Sequence, residues 1–358
     1  MPVQQAASNS NSKWRRFRRN KGAVTGLSII VLSILLAAAA YVLAPDHTPN
    51  ANRIIVEIAA KQPGYRQQFF KLYTASAQHT GNLLYGINED FQLIPVAGYR
   101  VLKDSIEIQR YVDEDLSETQ TFPLNGRDAG SLITTRTFWL GTDKFGRDIL
   151  SRLLIGTRVS LGVGLIAVLI SLTVGIFLGA VAGYFRGKID DMVMWFVNVV
   201  WSIPTLLLVF AITLALGKGY WQVFIAVGLT LWVNVARLVR GQVLSIRELN
   251  YIEATRAMGF SAARTIVRHI LPNILGPVMV IAASNFASAI VIEAGLSFLG
   301  LGVQPPQPSW GLMIKENYNF IITNNPMLAI APGIAIMVLV LAFNLLGNGL
   351  RDLLDVRS

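Results

Sequence analysis

The chain contains no cysteine among its 358 residues, which excludes disulfides and thiolate metal sites and leaves the redox compartment unread. Its three histidines, His47, His79 and His269, fall in separate regions and cannot form a metal centre or proton relay. No Gly-x-x-x-x-Gly-Lys-Ser/Thr phosphate loop occurs, so the chain cannot supply ATP chemistry itself. Charge is scarce too, at 15% of residues against about 25% in ordinary soluble domains. The deficit is concentrated in long uncharged runs, the signature of membrane spans, and 53% of the chain is apolar. A net charge of +10 could point to nucleic acid, but the basic residues cluster beside the apolar runs. That placement is a topology signal and argues against nucleic acid.

Residues 1–21 form a polar tail ending in KWRRFRRNK, with six Lys and Arg between Lys13 and Lys21. Gly22 to Ala44 follows without a charge, about 34 Å as a helix and enough to cross a hydrocarbon core of ~30 Å. This run is too long for a cleaved signal peptide, and Pro45 would follow the cut, so it reads as an uncleaved signal-anchor. Residues 45–140 differ in kind, with mixed charges, Asp113, Glu114 and Asp115 in a row, and Pro/Gly punctuation. With β-like stretches at FQLIPV (from Phe91) and YRVL (from Tyr99), they predict a small α/β insert on the far side of the membrane.

Residues 141–158 are amphipathic: Phe145, Ile149 and Leu153 share one face, and Asp143, Arg147, Ser151 and Arg158 the other. The pattern predicts a separate helix lying in the membrane interface. Five further spans are expected at 159–183, 190–216, 221–238, 273–297 and 327–347, within a core of residues 159–358. Gly175, Gly179 and Gly183 offer a close-packing face, and Pro204 and Pro332 predict kinks. The aromatic run Trp195, Phe196 and Trp201 is read as packing or interface anchoring.

Basic residues near span ends number sixteen on one side, in the tail, the loop with Arg186 and Lys188, the stretch from Arg237 to Arg268, and the C-terminus. The short loops opposite hold only Lys218 and Lys315. This asymmetry predicts cytoplasmic termini and a cytoplasmic loop at 250–272. In that loop Tyr251, Ala254, Thr255 and Met258 fall on one face of a helix, while Glu253 and Arg256 point away. Gly259 permits a sharp turn, Ser261 can cap a second helix from Ala262 to His269, and Leu271 and Pro272 mark the entry to the fifth span. A short helix hinged to a span is shaped to receive a push, although the same pattern also fits a solvated helix without a partner.

Glu293, near the outer end of the fifth span and followed by Ser297, is a carboxylate at membrane depth. Such a group usually faces protein or water, so it is a candidate outer-gate residue or a support for the loop through Trp310. The surrounding GLSFLG has the look of a protease serine motif, yet no span carries a histidine to act as base.

The loop resembles the EAA loop of ABC importer permeases at Glu253, Ala254, Gly259, Leu271 and Pro272, departing at Thr255 and His269. Further blocks match in order: Leu140 to Leu161, Tyr184 to Asp191, Ser202 to Leu208, Arg268 to Asn273 and Glu293 to Gly311. Together they resemble the second, C-type permease subunit of the dipeptide/oligopeptide/nickel importers. The resemblance implies an all-α polytopic membrane protein of the plasma (inner) membrane, with six transmembrane helices and a type I ABC importer permease core. It also implies a homologous second permease as partner, two cytoplasmic ATP-binding subunits that hold the ATP, and an extracytoplasmic solute-binding protein. The chain itself would be neither an enzyme nor a cofactor carrier. Coupling to the ATPases would run through Tyr251, Glu253, Ala254, Met258 and Gly259, with Ser261, Leu271 and Pro272 supporting the hinge. Two features depart from the family: Trp195 and Asn198 stand where an Arg and an Asp are usual, and the 45–140 insert is longer than usual.

Two readings of other classes compete. An ion-coupled secondary transporter should carry ionisable residues at the membrane midplane, where only Glu293 qualifies, near one end. A membrane scaffold or receptor would use the insert to bind a ligand without transport. Within the permease reading, the expected solute is a di- or oligopeptide, with nickel or another small solute as the alternative.

Overall fold

The computed structural model describes residues 15–73, 80–82, 85–113, 116–217, 219–322 and 325–354. The N-terminal part of the basic tail, His79, the pair Glu114 and Asp115, and Lys218 lie outside the described residues. In chain order the main elements are α1 (Lys21–Ala38), seven strands, α2 (Ile149–Phe185), α3 (Gly187–Ser202), α4 (Thr205–Leu216), α5 (Tyr220–Arg247), α6 (Asn250–Ala257), α7 (Ala262–Phe298), α8 (Trp310–Asn317) and α9 (Met327–Leu354). The strands are β1 (Tyr65–Tyr73), β2 (Thr80–Asn82), β3 (Gly86–Asn88), β4 (Phe91–Val101), β5 (Ser105–Asp113), β6 (Leu116–Pro123) and β7 (Ile133–Phe138). The chain divides into two compact units, one of residues 1–33, 160–303 and 336–358, the other of 34–159 and 304–335.

The first unit is helical. Helices α1, α2, α5, α7 and α9 are long and apolar enough to cross a membrane, and α3 with α4 makes a sixth candidate bent by 93°. The bend falls at Ile203 and Pro204: proline has no N–H to donate, and the residue before it is pushed out of helical geometry. Pro332, by contrast, lies within α9, which continues to Leu354.

Two helices meet along the predicted glycine stripe. A Cβ added at Gly175, Gly179 or Gly183 of α2 would lie 2.8, 2.5 and 2.9 Å from the carbonyl oxygens of Trp232, Ala236 and Arg240 on α5. Only hydrogen fits there, and the close backbone approach substitutes dispersion for the hydrophobic drive that lipid removes. Beyond the stripe, Val235, Val239 and Val243 of α5 join Ala180, Tyr184, Ile274 and Val278 in one buried cluster. A buried Asn285 of α7 donates to Ser171 Oγ (3.3 Å) and Leu231 O (3.4 Å), tying three helices through one side chain.

The second unit corrects the α/β expectation for the insert. It holds a five-stranded antiparallel sheet in the order β6-β5-β4-β1-β7, and the described helical content of residues 45–140 is short turns such as Ala129–Leu132. Alternation explains it: Phe69 and Phe70 point to opposite faces, each into its own apolar cluster, Phe69 with Ile55, Ile58 and Leu93, Phe70 with Val96, Ile106 and Ile108. FQLIPV and YRVL form one strand, β4, whose ladder to β5 starts only at Val96, after Pro95. A proline is tolerated in this central strand because no β5 bond is asked of it.

The separate interfacial helix expected over 141–158 is absent. Residues 141–148 form a loop closed by a bridge between Thr142 and Asp148, and helix begins at Ile149 and continues to Phe185. Asp143, Arg147 and Ser151, placed on a solvated face by periodicity, are buried. Burial is tolerated because the charges are paired: Arg147 reaches Asp143 Oδ2 and Glu316 Oε2, both at 2.6 Å, and Arg152 lies 3.5 Å from Glu316.

Candidate functional site

Helix α6 is a two-turn helix of eight residues, too short to persist alone. It is held by what it buries. Ile252 is fully enclosed with Ile270, Ile274, Val243 and Tyr184, and Thr255, one turn on, follows it inward. The Thr255 hydroxyl donates to Ile252 O at 2.7 Å, so its burial leaves no polar group unmet. This corrects the predicted face: Thr255 parts from Tyr251, Ala254 and Met258. Those three remain exposed, Tyr251 at 45% and Met258 at 64% relative accessibility, and Glu253 and Gly259 are exposed beside them. Glu253 sits in the first turn of α6, where the helix N-terminus favours a carboxylate.

Two contacts fix α6 to neighbouring helix ends, and a third ties the end of α5, just before it, to α2. Tyr251 Oη accepts from Asn273 Nδ2 at 3.3 Å, and the same amide donates to His269 O at 2.6 Å. Arg256 lies over the Tyr184 ring at 5.0 Å, within cation–π range. Arg247 Nη1 donates to Tyr184 O at 2.6 Å, placing a cation on the C-terminal turn of α2. Glu248, exposed and bonded to Arg186, is held below the ordinary carboxylate pKa by that bond and by the Arg186 charge.

The turn after α6 is as expected from its glycine. Gly259 has φ +76°, and an added Cβ would meet nothing within 4 Å, so the constraint is conformational rather than steric crowding. Ser261 then caps α7, its Oγ accepting from Arg264 N at 3.4 Å. The second helix does not end before the span. Ala262–Phe298 is continuous through a π-helical turn at Ile266–Ile270, immediately before Leu271 and Pro272. A proline at 272 cannot donate to the carbonyl four residues back, and the wider turn accommodates that loss without a break. The helix therefore runs unbroken past Leu271 and Pro272, and the change of direction after α6 falls at the Gly259 turn.

Sequence reasoning did not single out Ile252, Tyr184, Arg247 or Asn273. The inward apolar Ile252 three residues before Thr255 was the available signal. Nearby, Asp190 takes both nitrogens of Arg240 at 2.5 and 2.6 Å, while Asn198 accepts from Arg237 at 2.7 Å. An inter-helix ion pair thus operates beside the positions, Trp195 and Asn198, where the usual Arg and Asp are missing.

The family model for the binding-protein-dependent transport system inner membrane component matches residues 175–358, just over half the chain. The chain belongs to this family. A second model, the N-terminal transmembrane domain of oligopeptide transport permease C, matches residues 11–63. Among curated relatives, the glutathione transport permease GsiD of Pectobacterium atrosepticum is 44% identical over 217 residues, 61% of this chain and 72% of its own. The dipeptide transport permease DppC of Alkalihalophilus pseudofirmus is 43% identical, covering 61% of this chain and 71% of its own. The oligopeptide transport permease OppC of Bacillus subtilis is 37% identical over 221 residues, 62% of this chain and 72% of its own. The chain is a permease subunit of an ATP-driven importer, a multi-pass membrane protein and not an enzyme.

In this permease Glu293 is fully buried, and its carboxylate accepts from Ser297 Oγ at 2.6 Å. Ser297 Oγ in turn accepts from Val303 N at 3.1 Å, so the pair pins the loop that follows α7. Loop support therefore has the geometry, and an exposed gate carboxylate does not. Trp310 belongs to the second unit, where its indole N–H donates to Leu153 O at 3.1 Å.

Proposed function

We infer that this permease imports peptides, pairs with a homologous permease, and receives motion from two cytoplasmic ATPases at the exposed face of α6. The observation that carries the reading is a division within one short helix: Ile252 and Thr255 lock it to the core, and Tyr251, Ala254 and Met258 stay uncovered beside Glu253. A surface helix anchored so firmly on one side transmits force applied to the other. Gly259 lets α6 turn, and the unbroken Ala262–Phe298 helix carries that motion along a span. Peptide is the preferred solute because the relatives bear the names of dipeptide, oligopeptide and glutathione permeases. Cytoplasmic termini and loop, with the 45–140 insert facing the solute-binding protein outside, follow from the asymmetry of basic residues.

The test is co-purification from native membranes followed by uptake of a radiolabelled dipeptide into vesicles. A second permease and an ATPase pair should accompany the intact chain. The double substitution Tyr251→Ala with Met258→Ala should strip the ATPases and abolish uptake while the second permease remains. Retention of the ATPases by that variant would remove α6 as their seat.

A further inference from the structure

An open cleft of about 450 Å³ lies wholly within the helical unit, between the start of α4 and the middles of α5, α7 and α9. Its polar lining is Thr205, Asn234, Ser284, Ser288 and Asn344, and every other lining residue is apolar; none is charged. Thr205, Asn234, Ser284 and Asn344 are exposed and Ser288 is half-buried. Elsewhere the exposed positions in the middles of these spans are mostly apolar, as at Leu165, Leu169, Phe177, Leu275 and Met279, and the exposed Thr173 turns its hydroxyl back to Leu169 O at 2.7 Å. Five hydrogen-bonding side chains gathered on one surface of membrane-spanning helices are not built to face lipid, because polar groups at that depth face protein or water.

The backbone points the same way. Where α3 and α4 part, the first amides of α4 have no intrahelical acceptor, and Pro204, at the capping position, has no side chain to offer one. Residues 202–207 at this break are exposed. Unmet backbone groups cost several kcal/mol each in hydrocarbon and are tolerated at membrane depth only against protein or a water-filled space. The break and the polar side chains line the same cleft.

We propose that this cleft is this subunit's wall of the solute path, and that it handles the solute through neutral amide and hydroxyl groups. Resting on the peptide-import reading, this assigns a chemical rule to the path. A wall without fixed charge hydrogen-bonds the backbone common to all peptides and takes no side in the sign of their side chains. Discrimination by charge then lies outside this surface.

The absence of cysteine makes the chain its own labelling background. Single cysteines at Ser288 and Asn344, with Phe177→Cys as the apolar control, are placed in the full importer in membrane vesicles. They are exposed to an anionic, membrane-impermeant methanethiosulfonate reagent. Ser288→Cys and Asn344→Cys should react at least roughly tenfold faster than Phe177→Cys, a gap of about 1.4 kcal/mol in barrier, and labelling should stop uptake. Equal rates at the three positions, or labelling that leaves uptake intact, would overturn the assignment. Separately, Ser288→Asp should shift uptake toward lysine-containing over aspartate-containing dipeptides, and an unchanged ratio would refute the neutral-wall rule. If the unsubstituted importer moves no dipeptide, the peptide reading fails, while the labelling rates still judge the path.

Discussion

Single residues constrain the turn after α6 more tightly than their chemistry suggests. Gly259 touches nothing with its missing side chain, yet its φ of +76° costs an ordinary L-residue roughly 1–2 kcal/mol. Gly259→Val should therefore abolish dipeptide uptake while leaving the amount in the membrane unchanged. Gly259→Asn, which visits this conformation readily, should retain most of it. Uptake by both variants alike would show that the turn is not what transmits motion. A second residue-scale effect concerns Asp148, which caps α2 by accepting from Ser151 N at 2.8 Å and from the Ser151 hydroxyl. Burial pushes its carboxyl up to about 6 from 3.8, against the downward pull of the Ser151 bonds. A raised folded-state pKa means that folding takes up a proton. Stability is thus fullest below about pH 4, is lost as pH rises toward 6, and above that is lower by on the order of 3 kcal/mol. Asp148→Asn keeps a capping oxygen and removes the titration. Its thermal midpoint should exceed that of the unsubstituted chain at pH 7 and hardly change between pH 4 and 7. A pH slope equal to that of the unsubstituted chain would place the titration elsewhere.

At the scale of elements, packing depends on what each helix withholds. Gly179 lies where a side chain would collide with Ala236 O at 2.5 Å and Val239 at 2.9 Å. Gly179→Leu should separate α2 from α5 and lower the yield of assembled importer, as read by size-exclusion in detergent. Gly162→Leu, whose nearest neighbour is the Tyr220 hydroxyl at 3.5 Å, should be milder. This stripe was legible in the sequence because small residues four apart leave one explanation in a span. The Gly259 turn and the Ser261 cap were legible for the same reason: each is a local chemical requirement. What escaped depended on partners distant in the chain. Asp143 and Arg147 look solvated until Glu316, some 170 residues on, supplies the counter-charge that lets them bury. Thr255 looks coplanar with Tyr251 until Ile252 finds Ile270 and Ile274. The strands at Phe91 and Tyr99 were visible as alternation, but the order β6-β5-β4-β1-β7 is set by pairings no local pattern encodes.

Across the whole molecule, topology turns on parity. Among the described residues five helices qualify as spans individually, and the bent pair α3 and α4 decides whether they make five crossings or six. If the pair crosses, four crossings separate the basic tail from the loop at 250–272, and both lie on one side. If it turns back without crossing, that loop moves to the face that carries the 45–140 insert. Such a chain would divide its basic residues, with the six between Arg237 and Arg268 opposite the six of the tail. Loops dense in Lys and Arg stay in the cytoplasm, so six crossings agree with the charge distribution and five do not. A single cysteine replacing the exposed Met258, and another replacing the exposed Tyr99, separate the cases. In intact cells an impermeant maleimide should modify Tyr99→Cys and spare Met258→Cys until the membrane is opened. Modification of both from outside would make the bent pair a re-entrant loop and leave the cytoplasmic ATPases with nothing to grip at α6.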